Sequence, residues 1–527
     1  MSAMGSLLLV MLAATAPPAD DGSLFQFQAE AGPHSVGLKV IEQYDYSRTY
    51  RRSVDELGRG FTGERARPLQ TLIWYPAERT GRKPMTVREY ASLVATETRF
   101  GSPRMSAKSK ERIAGMGPAL DTSLWAVRDA PALSGHFPVI IYAPGFSGVA
   151  WENADLCEYL ASHGYVVIAS PDMGATSREM TYDLQGIEAQ ARDILFLVGY
   201  AVSLADTDAS KIGIIGYSWG GISNLFASAR DTRIGALVSL DGSIRYSPGL
   251  VKEAGDIHPD RMTIPLLSFA QRDFSFEDED RELTVEEKSG PNVLNLWTHG
   301  DLVDVHLFGM VHASLSSMAQ RNEDTWWELL NVRPMMQGDY GRDDAMTGYA
   351  WMARYTLRFL DAYLQHDGEA MRFLKRTPVE NGVPRHVLAV SYRAHVGTPP
   401  SSDAFRAEVG RRGFGELADV YASFKQQKAD FVLPEAELET WATDLIDAEH
   451  LPEAIGVLKL NMNLYPESSS AHARLADAYA RAGQRQMAID NYKASLQKDP
   501  MNAFARRRLD ELGSSVEAAN SGRRPFR

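Results

Sequence analysis

The chain has 527 residues, 44% of them hydrophobic and 23% charged, and a formal net charge of −13. That length exceeds one simple core and predicts two or more domains, or one large decorated domain with an appendage. The acidic balance argues against a general nucleic-acid binder, which needs a basic face, and weakly against adsorption to anionic membranes. The single cysteine, Cys157, excludes an intramolecular disulfide. It sits in an apolar helical pattern and reads as a small buried hydrophobe rather than a reactive thiol.

Residues 7–14 form a short apolar run, and Ala14-Thr15-Ala16 is an A-x-A site. Residues 1–18 therefore read as a secretory signal peptide, although no Lys or Arg precedes the run and Pro17 would follow the cut. The run is too short to span a bilayer, and no later segment qualifies as a transmembrane helix. The expected location is secreted or periplasmic, with cytoplasmic as the alternative.

Residues 36–41 and 70–75 are strand-like, rich in β-branched and aromatic side chains, and an Arg- and Gly-rich loop separates them. Residues 85–133 are an insertion of mixed helical character: a lid, one wall of a substrate pocket, or a surface decoration. The apolar run 138–143 predicts a central parallel strand, which ends in the tight turn 144–148. Helical patterns follow at 153–162 and 186–205, and strands at 165–170, 212–215, 235–240, 264–270 and 303–308. An amphipathic helix at 348–364 closes the series. This alternation predicts an α/β fold, a doubly wound and mostly parallel sheet, within a catalytic domain over 19–430.

Residues 431–513 change character: helical, Ala-rich and repetitive. Ala454-Ile455 recurs as Ala488-Ile489, Lys459 as Lys493, and Pro466 as Pro500, each 34 residues apart. That spacing resembles a tetratricopeptide repeat, whose small residues let paired helices pack closely. Two repeats are fewer than a free-standing array needs, so docking on the catalytic domain or on a protein partner is expected. Residues 514–527 read as a disordered tail.

The chemistry concentrates at Gly216-Tyr217-Ser218-Trp219-Gly220. This fits G-x-S-x-G between a strand and a helical pattern, the context of a nucleophile elbow. A serine hydroxyl needs a base, and the base needs a carboxylate to orient it. In such folds the order is Ser, acid, His. His312 follows a late strand and precedes a helical pattern; His299, in a turn, and His306, inside a strand, are its rivals. Asp241 and Asp273 each end a strand after the elbow, and pattern alone leans slightly to Asp273. His299, Asp301, Asp304 and His306 are metal-ligand types, but their spacing matches no metal-site pattern. The acidic run 276–287 reads as a solvated face.

Residues 139–312 resemble the platelet-activating-factor acetylhydrolase family of α/β-hydrolases, with dienelactone-hydrolase-like proteins as wider kin. The matching pieces are Ala143-Pro144-Gly145-Phe146, Gly216–Gly221, Ser239-Leu240-Asp241-Gly242 and Gly309-Met310-Val311-His312. In that family the acid lies 23 residues beyond the nucleophile, and Asp241 has that spacing from Ser218. The resemblance thus implies Ser218, His312 and Asp241 as the triad, with Asp273 as the alternative acid. It also implies an oxyanion hole from the N–H groups of Trp219 and Phe146. Where the family carries His-Gly, this chain has Pro144-Gly145, which alters the support of that loop. The expected activity is hydrolysis of short-acyl or lipid-like carboxylic esters, with neither metal nor organic cofactor. A peptidase or amidase on the same fold, or a binding platform working through the repeats, are the alternatives.

Overall fold

The computed structural model describes residues 25–521 except 56, 102, 272–291 and 323–339, and only the backbone over 513–521. The predicted signal peptide, Asp273, the acidic run 276–287 and the end of the predicted tail lie outside the described residues. The chain divides into two compact units between Val396 and Gly397.

The first unit is built on a sheet of ten strands: β1 (Ser35–Thr49), β2 (Ala66–Ala77), β3 (Val127–Arg128), β4 (Phe137–Ala143), β5 (Val166–Ala169), β6 (Thr207–Tyr217), β7 (Ile234–Leu240), β8 (Leu266–Gln271), β9 (Leu302–Leu307) and β10 (Leu388–Arg393). Their order is β10-β9-β8-β7-β6-β4-β5-β2-β1-β3. From β9 through to β5 every neighbouring pair is parallel. The pairs β2–β5, β1–β2 and β9–β10 are antiparallel.

Helices cover both faces, so the central strands are apolar on both sides. Along β4, Ile140 and Tyr142 point into one core layer, while Val139, Ile141 and Ala143 point into the other. The first layer is closed by helices Ala154–Ser162 and Arg342–Leu364, the second by Leu184–Val202 and Trp219–Arg230. Each fully buried Ile or Leu contributes roughly 1.5–3 kcal/mol of transfer free energy. Cys157 is buried in the first layer, where burial pushes its thiol pKa well up. Among the described residues no helix is long and apolar enough to cross a membrane.

The second unit is all helical. Its helices begin at 435 and 451 and again at 469 and 485, so both members of a hairpin recur 34 residues later with equal lengths. Two corrections apply to the sequence reading. The boundary lies at 396 rather than 430, because helices Ser402–Arg412 and Leu417–Gln427 bury Phe405, Val409, Val420 and Phe424 in the core of the second unit. The last helix, Ala503–Ser521, continues past residue 513, where the sequence predicted a disordered tail.

Candidate active site

Strand β6 runs into Ser218, whose backbone turns sharply at φ 51°, ψ −118° before the helix Trp219–Arg230 begins. Side-chain-bearing residues seldom adopt this conformation, so the surroundings must impose it. Ser218 N–H donates to the Leu240 carbonyl at 3.1 Å, and its own carbonyl accepts from Gly221 at 3.0 Å and Ser243 at 2.8 Å. The flanking glycines allow the close approach this turn requires. A Cβ at Gly216 would lie 2.3 Å from the Gly220 carbonyl oxygen, and one at Gly220 would lie 2.2 Å from that of Ala143.

Two other loops at the carboxyl edge of the sheet complete a hydrogen-bonded chain. His312 follows β9 and places Nε2 2.8 Å from Ser218 Oγ. Its Nδ1 lies 2.6 Å from Asp241 Oδ2, and Asp241 follows β7 directly. Asp241 is wholly buried, and its other oxygen accepts from Tyr246 Oη at 2.7 Å and Gln271 N at 3.3 Å. His312 is itself fixed: its N–H donates to Gln271 Oε1 at 2.7 Å, and its carbonyl accepts from Tyr217 Oη at 3.1 Å. The Tyr217 ring stacks on the imidazole at 5.1 Å.

The electrostatics follow from these contacts. Burial alone would raise the Asp241 pKa, but hydrogen bonds from His312, Tyr246 and Gln271 outweigh it and hold the carboxyl below its usual range. Burial alone would lower the His312 pKa, but the Asp241 hydrogen bond and charge, with a smaller push from Glu152, raise it. Neighbours crowd His312, yet its side chain remains 42% exposed, so solvent moderates that shift. The arrangement can deprotonate a hydroxyl and stabilise the resulting imidazolium.

The turn after β4 faces the same point. Phe146 N–H carries no hydrogen bond among the described residues, whereas the N–H groups of Gly145, Ser147 and Gly148 all do. Trp219 opens its helix, so its N–H has no acceptor within the helix. Glu152 braces this turn from within the core. Its Oε2 accepts from Gly145 N at 2.8 Å, and burial pushes its pKa up to about 7. A cleft of about 260 Å³ runs past Ser218, walled by Gly145 and Phe146 of the turn, by Met318, and by Arg112 and Met116 of the segment 85–133.

The structure therefore brings together Ser218, His312 and Asp241, and sets Phe146 and Trp219 beside them. It places His306 elsewhere, on β9 against Asp304 at 2.8 Å. Asp301 is engaged by Tyr363, Tyr392 and His395. Sequence reasoning missed Glu152, Tyr246 and Gln271. None of the three carried a local signal: Glu152 shares its stretch with Asn153, Asp155 and Glu158.

These loops fall within the part of the chain that has recognisable kin. Residues 125–332 match the model of the Dienelactone hydrolase family. The first unit has an α/β-hydrolase-type fold. A Methylorubrum extorquens protein, provisionally named carboxymethylenebutenolidase, is 27% identical over 139 residues. That match takes in 24% of this chain and 47% of the other, so the chain spans under half the length of this curated relative. A ferulic acid esterase from Streptomyces cinnamoneus superposes with a TM-score of 0.48 at 17% identity, covering 69% of this chain and 98% of that one.

Proposed function

We propose that this protein is a serine hydrolase of carboxylic esters. The observation that carries the reading is the unbroken chain from Asp241 through His312 to Ser218, at 2.6 Å and 2.8 Å. The match of residues 125–332 to a hydrolase family supports hydrolytic chemistry in general.

In this reading Ser218 Oγ attacks the ester carbonyl carbon while His312 Nε2 takes the hydroxyl proton. The carbonyl oxygen becomes an oxyanion, held by the N–H groups of Phe146 and Trp219. The C–O bond to the alcohol then breaks, and His312 returns the proton to the departing alkoxide. An acyl group remains on Ser218. Water attacks the acyl-enzyme, giving its proton to His312, and the acid leaves as Ser218 regains its proton. Asp241 holds the imidazole with Nε2 unprotonated and stabilises its charged form.

The test is covalent labelling with a fluorophosphonate, together with hydrolysis of p-nitrophenyl acetate. The parent protein is expected to label and to turn over, and Ser218→Ala to do neither. Equal labelling of parent and variant would sink the assignment of Ser218.

A further inference from the structure

The cleft does not end at Ser218. A second cavity of about 170 Å³ adjoins it, and the two share Arg112, Met116 and Met318. Beyond the shared pair of methionines its apolar walls are Val94, Ile113, Val149 and Trp151. Its outer end carries the exposed ion pair Lys108–Glu179. Arg178 also borders it, but its guanidinium is committed to Glu97 and to the carbonyls of Ser147, Gly148 and Asp172. Among the described residues no buried cation is left over to receive an anion there; Arg112, at the junction of the two cavities, is exposed.

We infer that this chamber receives the acyl group of the ester, and that the preferred acyl group is apolar and longer than acetyl. The inference rests on the serine-hydrolase reading above and adds the substrate class. Direction follows from the proton path. The departing alcohol must take its proton from His312 Nε2, so it lies on the His312 side of Ser218. Among the described residues, the cleft is walled by Gly145, Phe146 and Gly148 of the turn, by Met318 and by Tyr217, while His312, on which Tyr217 stacks, is not one of its walls. What occupies the cleft is therefore the group on the other side of the carbonyl. The walls are also tied to the reacting centre. Val149 and Trp151 continue the loop that bears Phe146, and Met318 follows His312 by one short turn. An acetyl group leaves the chamber empty. Each further methylene buried there should raise kcat/KM roughly fourfold until the space is full.

The experiment uses the full chain and p-nitrophenyl esters from acetate to dodecanoate. The parent is expected to favour hexanoate over acetate by tenfold or more in kcat/KM. Ile113→Trp, which fills the chamber from the insertion helix Ala107–Ala114, should cut the hexanoate-to-acetate ratio at least tenfold. Val94→Trp does the same from a different element, so the prediction survives the misfolding of either variant. Melting temperature and fluorophosphonate labelling report whether each variant keeps its fold and its Ser218 site. A parent that prefers acetate overturns the inference. So does an unchanged ratio in a folded, labelled Trp variant. A parent that neither labels nor cleaves any ester overturns the serine-hydrolase reading itself, a distinguishable failure.

Discussion

Glu152 is a carboxylic acid sealed among Tyr142, Gly145 and the core beneath the cleft. Its pKa in the folded chain, about 7, stands above its ordinary value of 4.5. Between those two values the native chain therefore holds more protons than the unfolded chain, and stability falls as pH rises. The loss is on the order of 3 kcal/mol across that window. Glu152→Gln keeps an acceptor for Gly145 N–H without the titration. The melting-temperature difference between variant and parent should then grow in the variant's favour from pH 4.5 to pH 7. Ionised Glu152 also helps to raise the His312 pKa, so the same variant should move the acid limb of kcat/KM to lower pH. In the parent that limb should lie above the ordinary imidazole value of 6.5, because only neutral His312 accepts the Ser218 proton. Asp241→Asn removes the main raising contact. It should lower the limb and cut kcat by about 10⁴-fold.

At the scale of elements, the strand–turn–helix around Ser218 is held by backbone contacts too close for any side chain but hydrogen. Gly220→Ala would drive a Cβ into the Ala143 and Pro144 carbonyls, at 2.2 and 2.7 Å. The expected result is a loss of at least about 2 kcal/mol in urea unfolding, or failure to accumulate soluble protein. This element was legible in the sequence because its rules are local: small residues two before and two after a serine, between a strand and a helix. His312 was legible for a similar reason, as the histidine just after a late strand. The acid was legible only through the family spacing of 23 residues: by pattern Asp241 and Asp273 each close an expected strand, and what marks Asp241 in the structure is a contact with His312, 71 residues away in sequence. Glu152, Tyr246 and Gln271 were invisible on the same ground, since no periodicity encodes their partners. Strand β10 escaped because it is a short edge strand, mostly half-buried, without strict alternation. Helices Ser402–Arg412 and Leu417–Gln427 were assigned to the wrong unit because, although they begin 33 and 34 residues before the next pair, they carry Val420-Tyr421 and Val432 where their neighbours carry the Ala-Ile pair and the Pro that marked the repeat.

At the scale of the whole molecule, the end of the first unit is fastened by its own contacts. Asp301 accepts hydrogen bonds from Tyr363 and Tyr392 at 2.7 and 2.8 Å, and from His395 through both N and Nδ1. Val396 N–H adds a bond to the Thr298 carbonyl at 2.7 Å. β10 and this anchor both precede residue 397, so a chain ending at residue 400 retains every element that positions Ser218, His312 and Asp241. Such a chain should be soluble, label with fluorophosphonate at the parent rate, and melt within a few degrees of the first transition of the full protein. A fragment that aggregates or fails to label would show that the sheet unit depends on the helical one.

The sole thiol of the protein, Cys157, is 1% exposed inside a helix whose residues are all buried. A maleimide or nitroxide reagent therefore meets a silent background in the folded state. Cysteines introduced at an exposed position of each unit, such as Val202 and Met487, would be the only groups to react. Fluorescence energy transfer between those two labels then turns the separation of the units into a number that can be followed as substrate binds.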